Sequence, residues 1–152
     1  MKLVVLQENL RKALLFVNKA VSVKTQLPVL GNILLETEEG RLKLSGTNLE
    51  TTISYWVGAQ IEKEGKTTVP ARFLTELVSS FSQDKVSLSL EKNLLSVKCG
   101  ESEATLTGIG AEEFPPLPAP EKEKKAEVSR KAFEDGLSFV LVSASTDEGR
   151  PI

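Results

Sequence analysis

Few residues in this sequence are of the types that carry out catalysis. The chain has no histidine, the most frequent general base and metal ligand, and its only cysteine is Cys99. Without histidine, a Ser–His–Asp or Cys–His arrangement is impossible, and Cys99 lies in an alternating strand pattern typical of an inert thiol. Carboxylates cluster at 36–39 and 147–148, in patterns typical of solvated turns. We therefore expect no catalytic residues, no metal site and no cofactor.

The basic residues follow a more suggestive pattern, because they recur on each predicted helix or beside it. The positions are Arg11, Lys12, Lys19, Lys24, Arg72, Arg130 and Lys131. If each helix packs on the same side of a sheet, these cations share one surface that attracts nucleic-acid phosphates by charge alone. Acidic residues occupy the same helices: Glu8, Glu76, Glu134 and Asp135. The alternative is therefore that these cations only keep the exposed sides of the helices in contact with water and bind no partner.

The second predicted helix carries more apolar surface than one packing face requires. Leu74 and Val78 form one stripe, and Phe73, Leu77 and Phe81 form another at helical spacing. A helix on one sheet needs about one stripe, roughly 100° wide. Two interpretations follow: a wide core face, or one stripe for the core and one for a partner.

Composition restricts the class of protein. The chain has 152 residues, a formal net charge of −2 and an apolar fraction of 40%. These values suit a globular domain with a real core and argue against a tail-like nucleic-acid binder. The apolar run after Lys2 is too short for a signal peptide, and no stretch is long enough for a membrane helix. We expect a soluble, cytoplasmic protein without membrane association.

The elements that must position these residues repeat along the chain. A short apolar strand, an amphipathic helix and several alternating strands begin near residues 3, 66 and 126, at intervals of roughly 60–65 residues. Helices are predicted at 8–20 and 71–81, with strands at 29–37, 48–57 and 104–109 among others. Four prolines between 115 and 120 precede a charged segment. We predict one domain at 1–120, a linker at 121–126 and the beginning of a second domain at 127–152.

Several motifs in this order resemble the bacterial sliding clamps, the beta subunits of DNA polymerase III. They are TQLPVLGNILLE at 25–36, LSGTNLE at 44–50, TVPAR at 68–72, EFP at 113–115 and RPI at 150–152. Together they run along nearly the whole chain, so the combination is far more specific than any single motif. The resemblance covers the family's first domain and the opening of its second.

The resemblance implies a fold and a function. Clamp domains are α+β, with two βαβββ units whose helices lie on one face of antiparallel sheets. The helices line the hole of a ring, and two three-domain protomers close head to tail around double-stranded DNA. Such a ring is a non-catalytic processivity factor that tethers the polymerase during replication. We therefore expect this chain to be the N-terminal part of such a clamp, homodimeric when full length, with DNA polymerase III and the clamp loader as partners.

Site residues also follow from the resemblance. Lys24 and Arg72 match DNA-contacting positions, and Lys12 on the basic side of the first helix is expected to join them. Phe73, Leu77, Phe81 and Leu106 match the surface that meets the neighbouring protomer's third domain, which would explain the second apolar stripe. Arg150 matches one rim residue of the pocket that binds polymerase and loader peptides.

A different class of function fits part of the same pattern. A standalone interaction module would use the second apolar stripe to bind a protein and would never touch DNA. We also expect that this chain by itself cannot form the usual ring, because the third domain is missing. The third helix, without its strands, is expected to hide Phe133, Leu137 and Leu141 against another molecule or to be poorly ordered.

Overall fold

A computed structural model describes residues 1–22, 27–82, 85–117 and 127–144 of the chain. The chain separates into two units, Met1–Leu117 and Pro118–Ile152, of which the first contains all the strands in the described residues. The strands are β1 (Lys2–Leu6), β2 (Asn32–Glu38), β3 (Arg41–Thr47), β4 (Thr52–Lys63), β5 (Lys66–Pro70), β6 (Lys85–Glu91), β7 (Leu94–Cys99) and β8 (Ser102–Thr107). The α-helices are α1 (Gln7–Val17), α2 (Ala71–Ser80) and α3 (Arg130–Leu141).

The eight strands form one antiparallel sheet in the order β5-β2-β3-β4-β1-β6-β7-β8. The sheet consists of two βαβββ units, and the first strand of each unit pairs with a strand of the other unit. β1 pairs with β4 of its own unit and β6 of the next, while β5 pairs with β2 of the preceding unit. A single bridge between Thr68 and Ile109 also joins β5 to the chain just after β8. The fold predicted from the resemblance is confirmed.

Both α1 and α2 pack on one face of this sheet and share one core with it. Alternate strand residues point inward, and each helix contributes one apolar stripe to the core. The largest side chains with no measurable exposure are Leu3, Leu10, Leu14, Ile33, Leu35, Leu42, Leu44, Leu74, Leu88 and Leu95. The opposite face of β6, β7 and β8 carries serine, threonine and charged residues, as expected for an antiparallel sheet that is solvated on one side.

A small second cluster covers the other face of β2. Val29 and Phe114 bury Leu34, which points away from the main core. Beside them, the buried Asn32 side chain donates to Thr68 Oγ1 at 3.0 Å, and that hydroxyl donates to the Ile109 carbonyl oxygen at 2.9 Å. These hydrogen bonds connect β5 to β2 and to the chain after β8. They also pair polar groups that are buried, where an unpaired donor or acceptor would lower the free energy of unfolding.

The structure corrects the predicted bounds at several points. The strand predicted at 29–37 begins only at Asn32, because Pro28–Gly31 forms a 3₁₀ turn. The strand predicted at 48–57 is instead Thr52–Lys63, since Asn48 caps a turn with its side chain and β1 extends the pairing beyond residue 57. The helix predicted at 8–20 is α1 followed by one 3₁₀ turn, Asn18–Ala20.

The unit that follows contains α3, whose N-terminus is capped by the Ser129 side chain. The expected first strand of a third repeat is not formed in the described residues 127–129. A strand needs a hydrogen-bonded neighbour, and no described residue of this unit supplies one. Phe133, Leu137 and Leu141 are exposed on α3, so the expectation that another molecule covers them stays a prediction, as do the predicted domain bounds.

The close approach of β3 to the end of α1 gives a test of the core. A Cβ added at Gly46 would lie 2.9 Å from Val17 Cγ1 and 2.9 Å from Val21 Cγ2. We expect Gly46→Ala to destabilise the chain by about 1–3 kcal/mol in urea unfolding, because an overpacked site must shift its neighbours. Gly58→Ala is the control, since open space surrounds that position. Equal stabilities of the two variants would contradict this packing.

Candidate interaction surfaces

The two helices on the inner face of the sheet lie side by side and run in opposite directions. Gln7 at the start of α1 donates from Nε2 to the Val78 carbonyl oxygen near the end of α2, at 2.7 Å. Asn18, just after α1, donates from Nδ2 to Thr75 Oγ1 in the first half of α2, also at 2.7 Å. The sides of the helices that face away from the sheet therefore form one continuous surface.

The cations of α1 and of the 3₁₀ turn that follows it lie on this outward side. Arg11, Lys12 and Lys19 are exposed, while Leu10 and Leu14 on the same helix are buried. The Lys12 ammonium lies 3.7 Å from the Glu8 carboxylate, and the Lys19 ammonium lies 5.7 Å from the centre of the Phe16 ring. An exposed ion pair of this kind contributes little free energy, so Lys12 is available to another anion.

Arg72 lies in the first turn of α2 and is also exposed. Its Nε donates to Glu76 Oε1 at 2.8 Å, and this hydrogen bond, followed by the charge of Glu76, raises the pKa of the Arg72 guanidinium. The side chain borders a groove that Asn18 and Ser22 line from the α1 side. Arg72 is thus next to the end of α1, on the helix surface that carries Lys12.

Not every predicted site residue can be placed. Lys24 and Arg150 lie outside the described residues. Lys12 and Arg72 are on neighbouring helices over the same sheet face, as the prediction of a shared basic surface requires. Their assignment to DNA stays a prediction.

The residues of the second apolar stripe of α2 differ in burial, so each of the two interpretations made from the sequence fits only some of them. Phe73 is 62% exposed, whereas Leu74 beside it is completely buried. Leu77 and Phe81 are partly buried and pack against the core, and Leu106 on β8 does the same. These four residues form one surface. Phe73 extends from it into solvent, whereas the other three contact the core and remain partly exposed.

An aromatic group near α1 was not singled out by the sequence analysis. Phe16 meets Tyr55 of β4 edge to face, with ring centres 5.9 Å apart. On the next residue, Trp56 Nε1 donates to Glu38 Oε2 at 2.6 Å, and the Lys43 ammonium lies 5.3 Å from the centre of the Trp56 ring. The sequence predicted only that Tyr55 and Trp56 favour a strand, because contacts between a helix and a distant strand leave no local pattern.

Glu38 connects the charged members of this group. The hydrogen bond from Trp56 and then the one from Lys43 lower the pKa of the Glu38 carboxyl below its ordinary value. The Lys43 ammonium lies 3.1 Å from Glu38 Oε1. The cluster therefore holds Trp56 in place on the sheet face opposite the helices.

Within the described ranges, no group of three or more acidic, cysteine or histidine side chains is arranged to hold a metal ion. Cys99 is buried and forms no disulfide. No helix in the part of the chain that the structure describes is long and apolar enough to cross a membrane.

Comparison with known proteins identifies relatives along the whole chain. The family model for the DNA polymerase III beta subunit, N-terminal domain, matches residues 1–118. The beta sliding clamp of Synechococcus elongatus is 35% identical over 156 residues, covering 100% of this chain and 41% of that protein. The corresponding protein of Streptomyces coelicolor is 30% identical, covering 100% of this chain and 40% of its own length.

Solved structures agree with these relatives. The Caulobacter crescentus pol III beta structure superimposes with a TM-score of 0.90 at 32% identity, covering 97% of this chain and 40% of that one. A putative DNA polymerase III beta subunit from Eubacterium rectale also gives a TM-score of 0.90, and at 21% identity it supports the fold alone. The chain spans about two fifths of the length of the relatives it matches.

The contrast between Phe73 and Leu74 can be tested by truncation. We expect Leu74→Ala to lower the free energy of unfolding by about 2–5 kcal/mol, because it removes a fully buried side chain. Phe73→Ala is expected to change it by less than about 0.5 kcal/mol, since most of that ring is already in water. Urea unfolding of both variants checks the pair, and a large loss in Phe73→Ala would place the ring in the core.

The Trp56–Glu38 hydrogen bond gives a prediction on pH. Because the folded pKa of Glu38 is lowered, this carboxylate stabilises the fold above its ordinary pKa, and the contribution is lost as pH falls through the lowered value. We expect Trp56→Phe, which removes the main donor, to raise the Glu38 midpoint toward its ordinary value in a carboxyl NMR titration. Tyr55→Phe is the control that should leave it unchanged, and an unshifted midpoint in Trp56→Phe would contradict the assignment.

Proposed function

This chain belongs to the DNA polymerase III beta subunit family, and from that premise we propose that it is the N-terminal portion of a sliding clamp. The intact protein would encircle double-stranded DNA and tether the replicative polymerase, as a non-catalytic processivity factor in the cytoplasm. The observation that carries this proposal is the pair of adjacent helices on one sheet face, with Lys12 and Arg72 exposed on their outward side.

The charges on this surface suit a protein that must move along DNA. Contacts between cations and phosphates are independent of sequence and hold the duplex by charge alone. Lys12 and Arg72 each have an acidic neighbour four residues away on the same helix, so the surface is only moderately positive. A phosphate can replace either exposed carboxylate at small cost, which favours transient contacts over tight binding. Lys24 belongs to the same proposed DNA surface on the basis of the family resemblance.

The second part of the proposal concerns assembly. Phe73, Leu77, Phe81 and Leu106 would form the surface that meets the third domain of a neighbouring protomer, giving a homodimeric ring in the full-length protein. Their partial exposure supports this role, because a packed core alone would bury all of them. Arg150 would contribute to the rim of a peptide pocket for the polymerase catalytic subunit and the clamp loader, completed by parts of the clamp that follow this portion.

A protein-binding module without any DNA role is the competing function. Such a module would bind its partner through the apolar surface around Phe73, and its cations would interact only with solvent. The two functions differ in one measurable property, the dependence of duplex binding on salt.

We expect Arg72→Glu and Lys24→Glu each to reduce the affinity for duplex DNA and to flatten its salt dependence by about one unit of slope per lost phosphate contact. Fluorescence anisotropy with a labelled duplex at several salt concentrations measures both quantities on this chain. Arg41→Glu is the matched control, because it makes the same change in net charge at the β2–β3 turn.

Equal loss in all three variants would mean that only net charge matters. No salt-dependent binding by the unmodified chain would favour the protein-binding module.

A further inference from the structure

Arg72 shares its charge with an acidic neighbour on its own helix. Its Nε donates to Glu76 Oε1 at 2.8 Å, and the two side chains are 84% and 59% exposed. A pair that is this exposed to water gains little free energy over two separately hydrated groups, so its partners can exchange. Any phosphate that approaches Arg72 therefore meets a guanidinium that already holds a carboxylate.

The stability of α2 does not account for this pair. An acidic residue four positions before a basic one supports a helix better than the reverse order, because the acid then lies nearer the positive N-terminal end. On α2 the order is reversed, with Arg72 in the first turn and Glu76 after it. Residues 71–74 read ARFL, so no acidic residue offsets the cation in that turn. The pair thus has an order that contributes little to the helix.

The ion pair on α1 has the opposite order. Glu8 lies in the first turn and Lys12 follows it, with 3.7 Å between the carboxylate and the ammonium. This order suits the helix dipole, so stabilisation of α1 is a sufficient reason for Glu8. Helix stability therefore explains Glu8 but leaves Glu76 without an explanation.

The arrangement of α2 recurs at the start of the next helix, α3. Arg130, the first residue of α3, donates from Nε to Glu134 Oε1 at 2.8 Å, and both side chains are exposed. The order, the spacing, the atoms and the distance are the same as in the pair of Arg72 and Glu76. This repetition at the start of two successive helices supports a common role for the two glutamates.

A carboxylate and a phosphate compete for the same donors of an arginine. Both present anionic oxygens to the planar fork of guanidinium N–H groups. One side of that fork combines Nε–H with a terminal N–H, and Glu76 occupies Nε–H. A phosphate that binds this side has to displace the carboxylate, and the displaced Glu76 then repels the phosphate by charge.

We propose that Glu76 sets the affinity of the DNA surface by competing with phosphate for the Arg72 guanidinium. This inference rests on the proposed function, because it requires Arg72 to contact a phosphate. The competition weakens the contact and also makes it easy to exchange. When the guanidinium leaves one phosphate it returns to Glu76, so it has an anionic partner before it meets the next phosphate.

Removal of a single negative charge tests the proposal on the 152-residue chain. We expect Glu76→Gln to tighten binding to a labelled DNA duplex by about two- to fivefold at low salt, the gain from losing an exposed competing ion pair. Fluorescence anisotropy measures the affinity. Glu39→Gln is the matched control, because it makes the same change in net charge at the exposed ion pair with Arg41 on the β2–β3 turn. The gain in Glu76→Gln has to exceed the gain in Glu39→Gln.

A double-mutant cycle tests whether Glu76 acts through Arg72. Arg72→Gln is expected to weaken duplex binding, and adding Glu76→Gln to it should then bring no more gain than Glu39→Gln brings to the unmodified chain. Circular dichroism and urea unfolding verify that all variants are folded. Glu76→Gln should leave the urea midpoint nearly unchanged, because the exposed pair contributes little to stability.

Several results would overturn the proposal. Weaker binding by Glu76→Gln would show that Glu76 orients Arg72 toward the phosphate instead of competing with it. Equal gains in Glu76→Gln and Glu39→Gln would mean that only net charge matters, and a gain that persists without Arg72 would place the effect on another cation. In these three cases a loss of affinity in Arg72→Gln leaves the proposed DNA surface intact. An unmodified chain that does not bind the duplex, or an Arg72→Gln variant that binds equally well, would refute the proposed role of Arg72 and this inference with it.

Discussion

The structure depends on one constraint: α1 and α2 can bury their apolar stripes only against the same face of a single sheet. Because each helix is short, its stability comes from this packing more than from its own hydrogen bonds. The exchange of first strands between the two units extends the sheet far enough to cover both helices. Once both stripes are buried, the polar sides of the helices have to face outward together.

This arrangement gathers cations on the outward side of the helices although the chain has a slight net negative charge. The orientation of each helix on the sheet determines which charges face outward, because the residues opposite the buried stripes include Arg11, Lys12 and Arg72. Their acidic helix neighbours limit the field, and the exposure of the ion pairs keeps them exchangeable. For the proposed DNA contact, these features predict binding that is weak, insensitive to sequence and dependent on salt.

The exchange of first strands also affects the edges of the sheet. When β1 and β5 pair across units, the last strand of each unit has a stretch without a second neighbouring strand among the described residues, at 52–58 in β4 and at 102–107 in β8. The backbone N–H and C=O groups that point outward from these stretches have no strand partner among the described residues.

The sequence by itself determined the repeated order of a strand, a helix and several strands, the absence of histidine, and the polar and apolar sides of the two helices, because periodicity and residue type are local properties. The family resemblance supplied the fold, which the structure and the comparisons confirm. Only the tertiary structure decided that Phe73 projects while Leu77 and Phe81 are shared with the core, and that Phe16 meets Tyr55. Those outcomes depend on which distant strand packs beside which helix, and no local pattern encodes that choice.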